Sequence, residues 1–129
     1  MKKSLLAIAT LASLKLALAR AVAGPTEASV TAAYSQKTLL KNWALSVCLA
    51  KVAKSTDVKD DANATAGAYL EFGKQPIEAY DALRALVDRY AQRKYSGAVQ
   101  SEFNTMKCID LLHSKELEVL AGKWATAPR

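Results

Sequence analysis

The feature that most constrains the fold of this chain is a pair of cysteines, Cys48 and Cys108, sixty positions apart and each within a run of apolar residues. Apolar neighbours predict that both thiols are buried, and two buried cysteines of an exported protein normally meet in a disulfide. The alternatives are intermolecular bridges or two reduced thiols acting as small apolar side chains. An intramolecular bridge would contribute on the order of 4 kcal/mol on a loop-entropy model. We therefore expect one disulfide joining an early helix to a late one.

The first 23 residues have the composition of an export signal. Lys2 and Lys3 form a short positive segment, and residues 4–14 are almost entirely apolar. Small-x-small cleavage patterns end at Ala19 and Ala23. The apolar run is shorter than the roughly 20 residues that span a membrane. The sequence predicts a signal peptide over residues 1–23 and a soluble periplasmic mature protein without a membrane span. The alternative is an amphipathic N-terminal helix of a cytosolic protein.

The positive charge of the chain belongs largely to this segment. The full sequence has 18 basic and 12 acidic residues, a formal charge of +6. Four basic residues precede the cleavage site, so the mature chain would keep 14 basic against 12 acidic residues, a formal charge of +2. No basic stripe with interleaved aromatic residues occurs, as nucleic-acid binding requires. We expect no nucleic-acid partner.

The remaining residues, about 100, suffice for one hydrophobic core. Residues 24–33 are small and polar, and we expect a flexible lead-in there, followed by a helical domain at residues 34–125. From Tyr34 onward apolar residues recur every three or four positions, and no useful strand-like alternation appears. The first helix is apolar around so much of its circumference that we expect it in the middle of the domain. The predicted fold class is all-α, a single-domain bundle of four to five helices with one disulfide.

Local signals predict where the second helix begins and ends. Many small residues at 62–68 favour close approach to a neighbouring helix. Asp60 or Asp61 is the expected N-terminal cap of a helix over residues 62–72. Gly73 is expected to end this helix in the left-handed conformation.

The later helices are predicted in the same way. Pro76 suits the first turn of a third helix, which runs to about Tyr95. Ser114 is the expected cap of a last helix. The apolar stripes expected on the third and fourth helices are Ile77, Tyr80, Leu83, Val87 and Tyr90, followed by Phe103, Met106, Cys108, Ile109 and Leu112.

The sequence argues against catalysis and against a cofactor. Its one histidine, His113, follows Cys108 by five residues, which on a helix turns the two side chains about 140° apart. A disulfide would also consume both thiols, so a Cys–His nucleophile and base is not expected. No haem attachment motif and no zinc-ligand spacing occur. We expect a protein that is not an enzyme and holds no metal or cofactor.

Three segments around the cysteines resemble a known family. Residues 42–52 (NWALSVCLAKV), residues 61–73 (ending in YLEFG) and residues 107–117 (KCIDLLHSKEL) occur in that order. Together they resemble the type VI secretion amidase immunity proteins, specifically the all-helical fourth family. The resemblance extends over residues 34–124, which is nearly the whole predicted domain.

The resemblance implies a periplasmic antitoxin that protects against sibling cells. The target would be a type VI secreted peptidoglycan amidase with a papain-like cysteine centre. It also implies a homodimer that binds two effector molecules, with one subunit offering a helix and the other inserting a loop into the catalytic cleft. The runner-up from a different class is a periplasmic helical binding, adaptor or chaperone-like protein without a toxin partner.

Carried onto this chain, the resemblance predicts three surfaces and leaves the dimer contact open. The dimer contact is expected either on the small-residue helix at 62–68 or at Ala82 and Ala85. The long loop, our first choice for occlusion, comprises residues 94–100, and the short turn, our second choice, comprises residues 113–116. By name, the effector-binding helix face is Glu78, Asp81, Asp88, Arg89 and Gln92; the long loop is Lys94, Tyr95, Ser96, Gly97, Ala98, Val99 and Gln100; the short turn is His113, Ser114, Lys115 and Glu116.

Overall fold

The computed structural model describes residues 27–127, so the predicted signal peptide and the first part of the lead-in lie outside the described residues. Within this range the chain is all-α, as predicted, and contains no strand. A short 3₁₀ helix at Val30–Ala33 buries Thr31 just before the first long helix. The α-helices are α1 (Gln36–Val52), α2 (Thr56–Glu71), α3 (Ile77–Ala91), α4 (Asn104–Leu112) and α5 (Lys115–Ala125).

Helix α1 is the centre of the fold, because it packs against each of the other four helices. Ser35 begins it by accepting a hydrogen bond from the backbone N–H of Thr38 at 3.1 Å, which satisfies one of the free amides of the first turn. The prediction of a central first helix is confirmed. Its buried residues are Leu39, Leu40, Trp43, Ala44, Ser46, Cys48 and Ala50.

The predicted disulfide is present and joins α1 to α4. The Cα atoms of Cys48 and Cys108 are 5.6 Å apart, and both residues are fully buried. Leu111, one turn further along α4, is also fully buried. The bridge therefore fixes which face of α4 points toward α1.

Helix α3 covers another side of α1. Tyr80 meets Trp43 edge to face, with ring centroids 5.0 Å apart, a favourable aromatic geometry. Tyr80, Leu83, Val87 and Tyr90 are buried as predicted, but Ile77 is 64% exposed. Ile77 is the first residue of α3 and lies about 120° around the helix from the middle of the buried face.

Two predicted helix starts are wrong, that of α2 by five or six residues and that of α3 by one. Helix α2 is capped by Ser55, whose Oγ accepts from the backbone N–H of Val58 at 3.3 Å. Asp60 and Asp61 therefore lie inside the helix, because the Ser55 hydroxyl already caps it at an earlier position. Pro76 is the N-cap residue of α3 and does not occupy its first turn.

The predicted left-handed conformation of Gly73 is also wrong, since no described glycine has a positive φ. Glycine is required there for a steric reason. A Cβ at this position would overlap the hydroxyl of Tyr80. The need for glycine two residues after α2 is thus set by the close approach of Tyr80 on α3.

Helix α4 buries a different stripe from the one predicted. Lys107, Cys108 and Leu111 face inward, while Met106 and Ile109 are 47% and 48% exposed. The disulfide determines this orientation, because Met106 and Ile109 lie roughly 160° and 100° around the helix from Cys108.

Helix α5 closes the bundle against α1 and α3. Ser114 caps it, as predicted, by accepting from the backbone N–H of Leu117 at 3.1 Å. On the α1 side, the carboxylate of Glu118 pairs with both Lys37 and Lys41. None of the helices described within residues 27–127 has both the length and the apolar character of a membrane-spanning segment.

Candidate partner-binding site

The predicted effector-binding residues of α3 lie on one face of the helix. Glu78, Asp81, Asp88, Arg89 and Gln92 fall within an arc of about 100°, on the side opposite the buried residues. All are exposed except Asp88, which is partly buried. The helix thus offers a largely polar surface of mixed charge, with the exposed Ala85 among these residues.

Two residues of this face already have partners within the chain. The carboxylate of Asp88 pairs with Lys51 of α1, and the Arg89 guanidinium lies 3.7 Å from the carboxylate of Glu116 on α5. Exposed ion pairs of this kind contribute only about 0–1 kcal/mol. Either pair can be exchanged for a contact with another protein at little cost to the fold.

The long loop lies in the connection between α3 and α4, which spans residues 92–103. Its residues are exposed apart from Tyr95, and Val99 is 70% exposed. Backbone hydrogen bonds close the end of α3, at Gln92 and Arg93. Between Lys94 and Glu102, all of which the structure describes, none joins backbone to backbone. The shape of the loop therefore depends on its side chains.

Side-chain contacts hold the loop at Tyr95 and Gly97, and Arg93 packs on Tyr90 just before it. The hydroxyl of Tyr95 donates to Oδ2 of Asp110 on α4 at 2.6 Å. The Arg93 guanidinium lies 3.6 Å from the centre of the Tyr90 ring, and a hydrogen bond with Tyr95 is the main reason that the pKa of Arg93 is raised. At Gly97, a Cβ would come within 2.8 Å of Cζ of Phe103, so the loop backbone rests on that ring.

Phe103 itself has an unusual backbone. Its φ of 52° and ψ of 40° are left-handed, and it is the only described non-glycine residue with a positive φ. This conformation costs a residue with a Cβ about 1–2 kcal/mol. The conformation persists because its neighbours fix it: Ser101 Oγ accepts from the Phe103 N–H at 3.2 Å.

Just after the long loop, Glu102 is anchored near the end of α1. The carboxylate of Glu102 lies 2.5 Å from Nζ of Lys54 and accepts from Nδ2 of Asn104 at 3.0 Å. These hydrogen bonds, that of Lys54 first, lower the pKa of Glu102. The buried Lys107 donates in turn to Oδ1 of Asn104 at 2.7 Å. Residues 102–107 form a connected polar cluster at the start of α4.

The short turn is built differently. The backbone N–H of His113 donates to Ile109, and that of Ser114 donates to Leu111, each at 3.1 Å. The Ser114 hydroxyl also donates to the Leu111 carbonyl at 2.7 Å while capping α5. Lys115 and Glu116 already belong to the first turn of α5. The turn is therefore a compact helix-to-helix connection.

Two concave regions adjoin these elements. A groove of about 430 Å³ lies between α3 and α5, over buried Leu86 and beside the exposed Val119. It brings Arg89 of the predicted helix face next to Glu116 of the short turn. A wider hollow of about 730 Å³ is lined by the exposed Met106 and Ile109 beside Phe103. The sequence predicted both apolar residues in a core stripe and so missed this surface.

Neither cysteine is free, and the one histidine lies at the end of α4. Both thiols are in the disulfide, and His113 is exposed at the end of α4, so the chain has no Cys–His pair to act as nucleophile and base. Over residues 27–127, no group of three or more His, Cys, Asp or Glu is placed to hold a metal ion.

Comparison with known proteins gives one consistent result. Residues 38–121 match the profile of Tai4, described as a type VI secretion system amidase immunity protein. The solved structure of the effector–immunity system Tae4/Tai4 from Salmonella typhimurium matches with 52% identity and a TM-score of 0.72, over 75% of this chain and 96% of that chain. No curated protein matches.

Two more distant structures agree. One is the complex of the effector Tae4 from Salmonella typhimurium with the immunity protein Tai4 from Enterobacter cloacae, at 26% identity and a TM-score of 0.65, over 75% of this chain and 99% of that chain. The other, from a study of type VI-secreted toxins and self-resistance proteins of Serratia marcescens, has 28% identity and a TM-score of 0.73, over 84% of this chain and 90% of that chain.

Proposed function

Because the chain belongs to the family of type VI secretion system amidase immunity proteins, we propose that it binds and sterically inhibits a secreted peptidoglycan amidase. Its partner is the cognate amidase effector, and its role is protection against intoxication by sibling cells. The observation that carries this function is the family match over residues 38–121 together with 52% identity to the Salmonella typhimurium structure. The resemblance noted in the sequence is thereby confirmed.

Inhibition by this chain is occlusion without chemistry of its own. The exposed face of α3 provides affinity, and the long loop enters the cleft of the amidase, where the catalytic cysteine lies. Small residues at the tip, Ser96, Gly97 and Ala98, suit a narrow groove, and the exposed Val99 adds apolar surface to bury. The chain is then an inhibitor with no catalytic activity and no cofactor.

The short turn is the weaker candidate for occlusion. Its backbone groups are already paired, and pulling it outward would break hydrogen bonds at the ends of both α4 and α5. The long loop loses no backbone pairing when its tip inserts. This difference supports assigning occlusion to residues 94–100.

A homodimer would allow one subunit to present α3 while the other inserts its loop into the same effector. Helix α2 supports such a contact, because it packs mainly on α1 and buries only Ala62 and Ala66. Its Gly67 has open space beyond the backbone, so another helix can approach closely. Ala82 and Ala85 on α3 are the second candidate, and Ala85 is exposed. Light scattering that finds a monomer at micromolar concentration would exclude the two-subunit arrangement.

The proposed site of action is the periplasm. An amidase that cuts peptidoglycan acts there, and an oxidising compartment suits the Cys48–Cys108 disulfide. Export would depend on the predicted signal peptide at residues 1–23. N-terminal sequencing of the periplasmic protein should begin near Gly24, and material beginning at Met1 would refute cleavage.

The direct test mixes the purified mature chain with Tae4 of Salmonella typhimurium and measures peptidoglycan cleavage. That effector is a reasonable probe, since it has been solved in complex with an Enterobacter cloacae immunity protein. We expect binding in a two-to-two complex and loss of cleavage at equimolar concentrations. Undiminished cleavage by this effector, and by any amidase encoded beside the gene for this chain, would refute the proposal.

A further inference from the structure

We propose that α4 holds the long loop in its inhibitory shape before the effector arrives, with Tyr95 and Gly97 as the positioning residues. The two contacts responsible are Tyr95 with Asp110 and Gly97 with the ring of Phe103. This inference rests on the proposed occluding function of the loop. It adds the residues that give the loop its shape.

The contact between Tyr95 and Asp110 ties the beginning of the loop to the last turn of α4. A phenol that donates to a carboxylate at 2.6 Å forms a short, charge-assisted hydrogen bond, stronger than one between neutral groups. Tyr95 is also the one residue of the loop that is partly buried. Its ring and hydroxyl therefore fix where the exposed tip begins.

The contact between Gly97 and Phe103 ties the tip itself. Gly97 does not have a positive φ, so backbone conformation does not require glycine there. The close Phe103 ring does, because a Cβ would lie 2.8 Å from Cζ. Phe103 holds a left-handed backbone at a cost of about 1–2 kcal/mol, and such strain persists where surrounding structure over-determines it.

Helix α4 is a rigid base for both contacts. Cys108, two residues before Asp110, forms the disulfide with α1. Asn104, one residue after Phe103, belongs to the polar cluster with Lys107. Ordering a free loop upon binding would cost about 1 kcal/mol or more per residue. A loop held in advance avoids part of this cost, which raises affinity without any new contact to the effector.

The test uses two small substitutions with matched controls. Tyr95→Phe removes only the hydroxyl, and Gly97→Ala adds only a methyl group. Tyr34→Phe and Gly122→Ala are the controls. Tyr34 stacks on Tyr69, away from the loop, and a Cβ at Gly122 meets only the flexible end of Lys37 at 3.8 Å or more.

Three readouts are measured on each protein. The first is the NMR shift of the residue-97 α-proton, which the ring current of Phe103 displaces when the contact is present. The second is the rate of tryptic cleavage after Lys94, and the third is inhibition of peptidoglycan cleavage by Salmonella typhimurium Tae4. For each loop variant we expect loss of the ring-current displacement, faster cleavage after Lys94 and inhibition about tenfold weaker, while a cooperative thermal melt shows that the domain is still folded. Both controls should match the parent protein.

Replacement of residues 96–98 by a bulky sequence separates failure of this inference from failure of the proposed function. If that replacement abolishes inhibition while both loop variants inhibit like the parent, the loop occludes the cleft but positioning by α4 is wrong. If the replacement inhibits fully, the loop does not occlude, and the positioning inference falls with it. Tyr95→Phe keeps the test decisive should Gly97→Ala fold poorly.

Discussion

The two connections at the ends of α4 were both candidates for reaching into an amidase, and they are built in opposite ways. The short turn satisfies its backbone within the fold, through His113 and Ser114 at one helix end and the Ser114 hydroxyl at the next. The long loop has no backbone-to-backbone hydrogen bond from Lys94 to Glu102 and is held by side chains.

On our proposal, this difference is how a small helical domain separates stability from recognition. Atoms used in capping cannot leave their helix without a loss of stability, whereas a loop attached by a few side chains keeps its backbone free for a partner. Both connections depend on one support, because α4 carries Asp110 for the loop and Leu111 for the turn.

Removing the disulfide that joins α4 to α1 should have the largest effect on stability. The double variant Cys48→Ser, Cys108→Ser should lose about 4 kcal/mol of unfolding free energy, because the denatured chain is no longer constrained across some sixty residues. Urea denaturation measures the loss, and the reduced parent protein is the matched comparison. A loss below about 1 kcal/mol would mean that packing alone holds α4 in place.

Ser114→Ala should affect the turn without affecting the loop. Loss of the cap should lower the unfolding free energy by about 1 kcal/mol, while Ser114→Asp should retain most of it. Inhibition of Tae4 by saturating Ser114→Ala should equal that of the parent. Weaker inhibition at saturation, with the fold intact, would instead favour the short turn as the occluding element.

The smallest expected effect concerns Glu118 of α5, which takes part in neither connection. Hydrogen bonds from Lys37 and then from Lys41 lower the pKa of Glu118 from 4.5 to about 2. A lowered pKa in the folded state means that this contribution is present above about pH 4.5 and is lost as the pH falls through about 2.

Glu118→Gln should therefore be slightly less stable than the parent at pH 7, and the two should converge between pH 4.5 and 2. Glu118 is exposed, so 1 M salt should shrink the difference at pH 7. Thermal melts across this pH range provide the measurement. A difference that grows toward pH 2 would contradict this assignment of the ion pairs. Inhibition should not change, because neither connection uses Glu118.

The sequence was sufficient for the architecture. Period-3.6 apolar spacing predicted an all-helical domain with a central first helix, and the apolar surroundings of Cys48 and Cys108 predicted their bridge. The sequence-based prediction failed where another element determines the outcome. Glycine is required at position 73 because of the nearby hydroxyl of Tyr80, and Ile109 points outward because the disulfide orients α4.

The site was predictable only in part. Ser96 and Gly97 correctly marked an exposed connection, and the sequence placed the polar face of α3 opposite its core. The support of the loop could not be predicted. Asp110 lies fifteen residues from Tyr95, and nothing in a phenylalanine predicts the left-handed backbone of Phe103, which arises only when the loop closes on α4.

The most direct test of the account is peptidoglycan cleavage by Tae4 at saturating immunity protein, measured together with binding. Replacing residues 96–98 should leave binding by the α3 face largely intact, while cleavage returns to nearly the uninhibited rate. Ser114→Ala should bind and inhibit fully in the same assay. Full inhibition by the loop replacement would contradict the central claim that residues 94–100 close the amidase cleft.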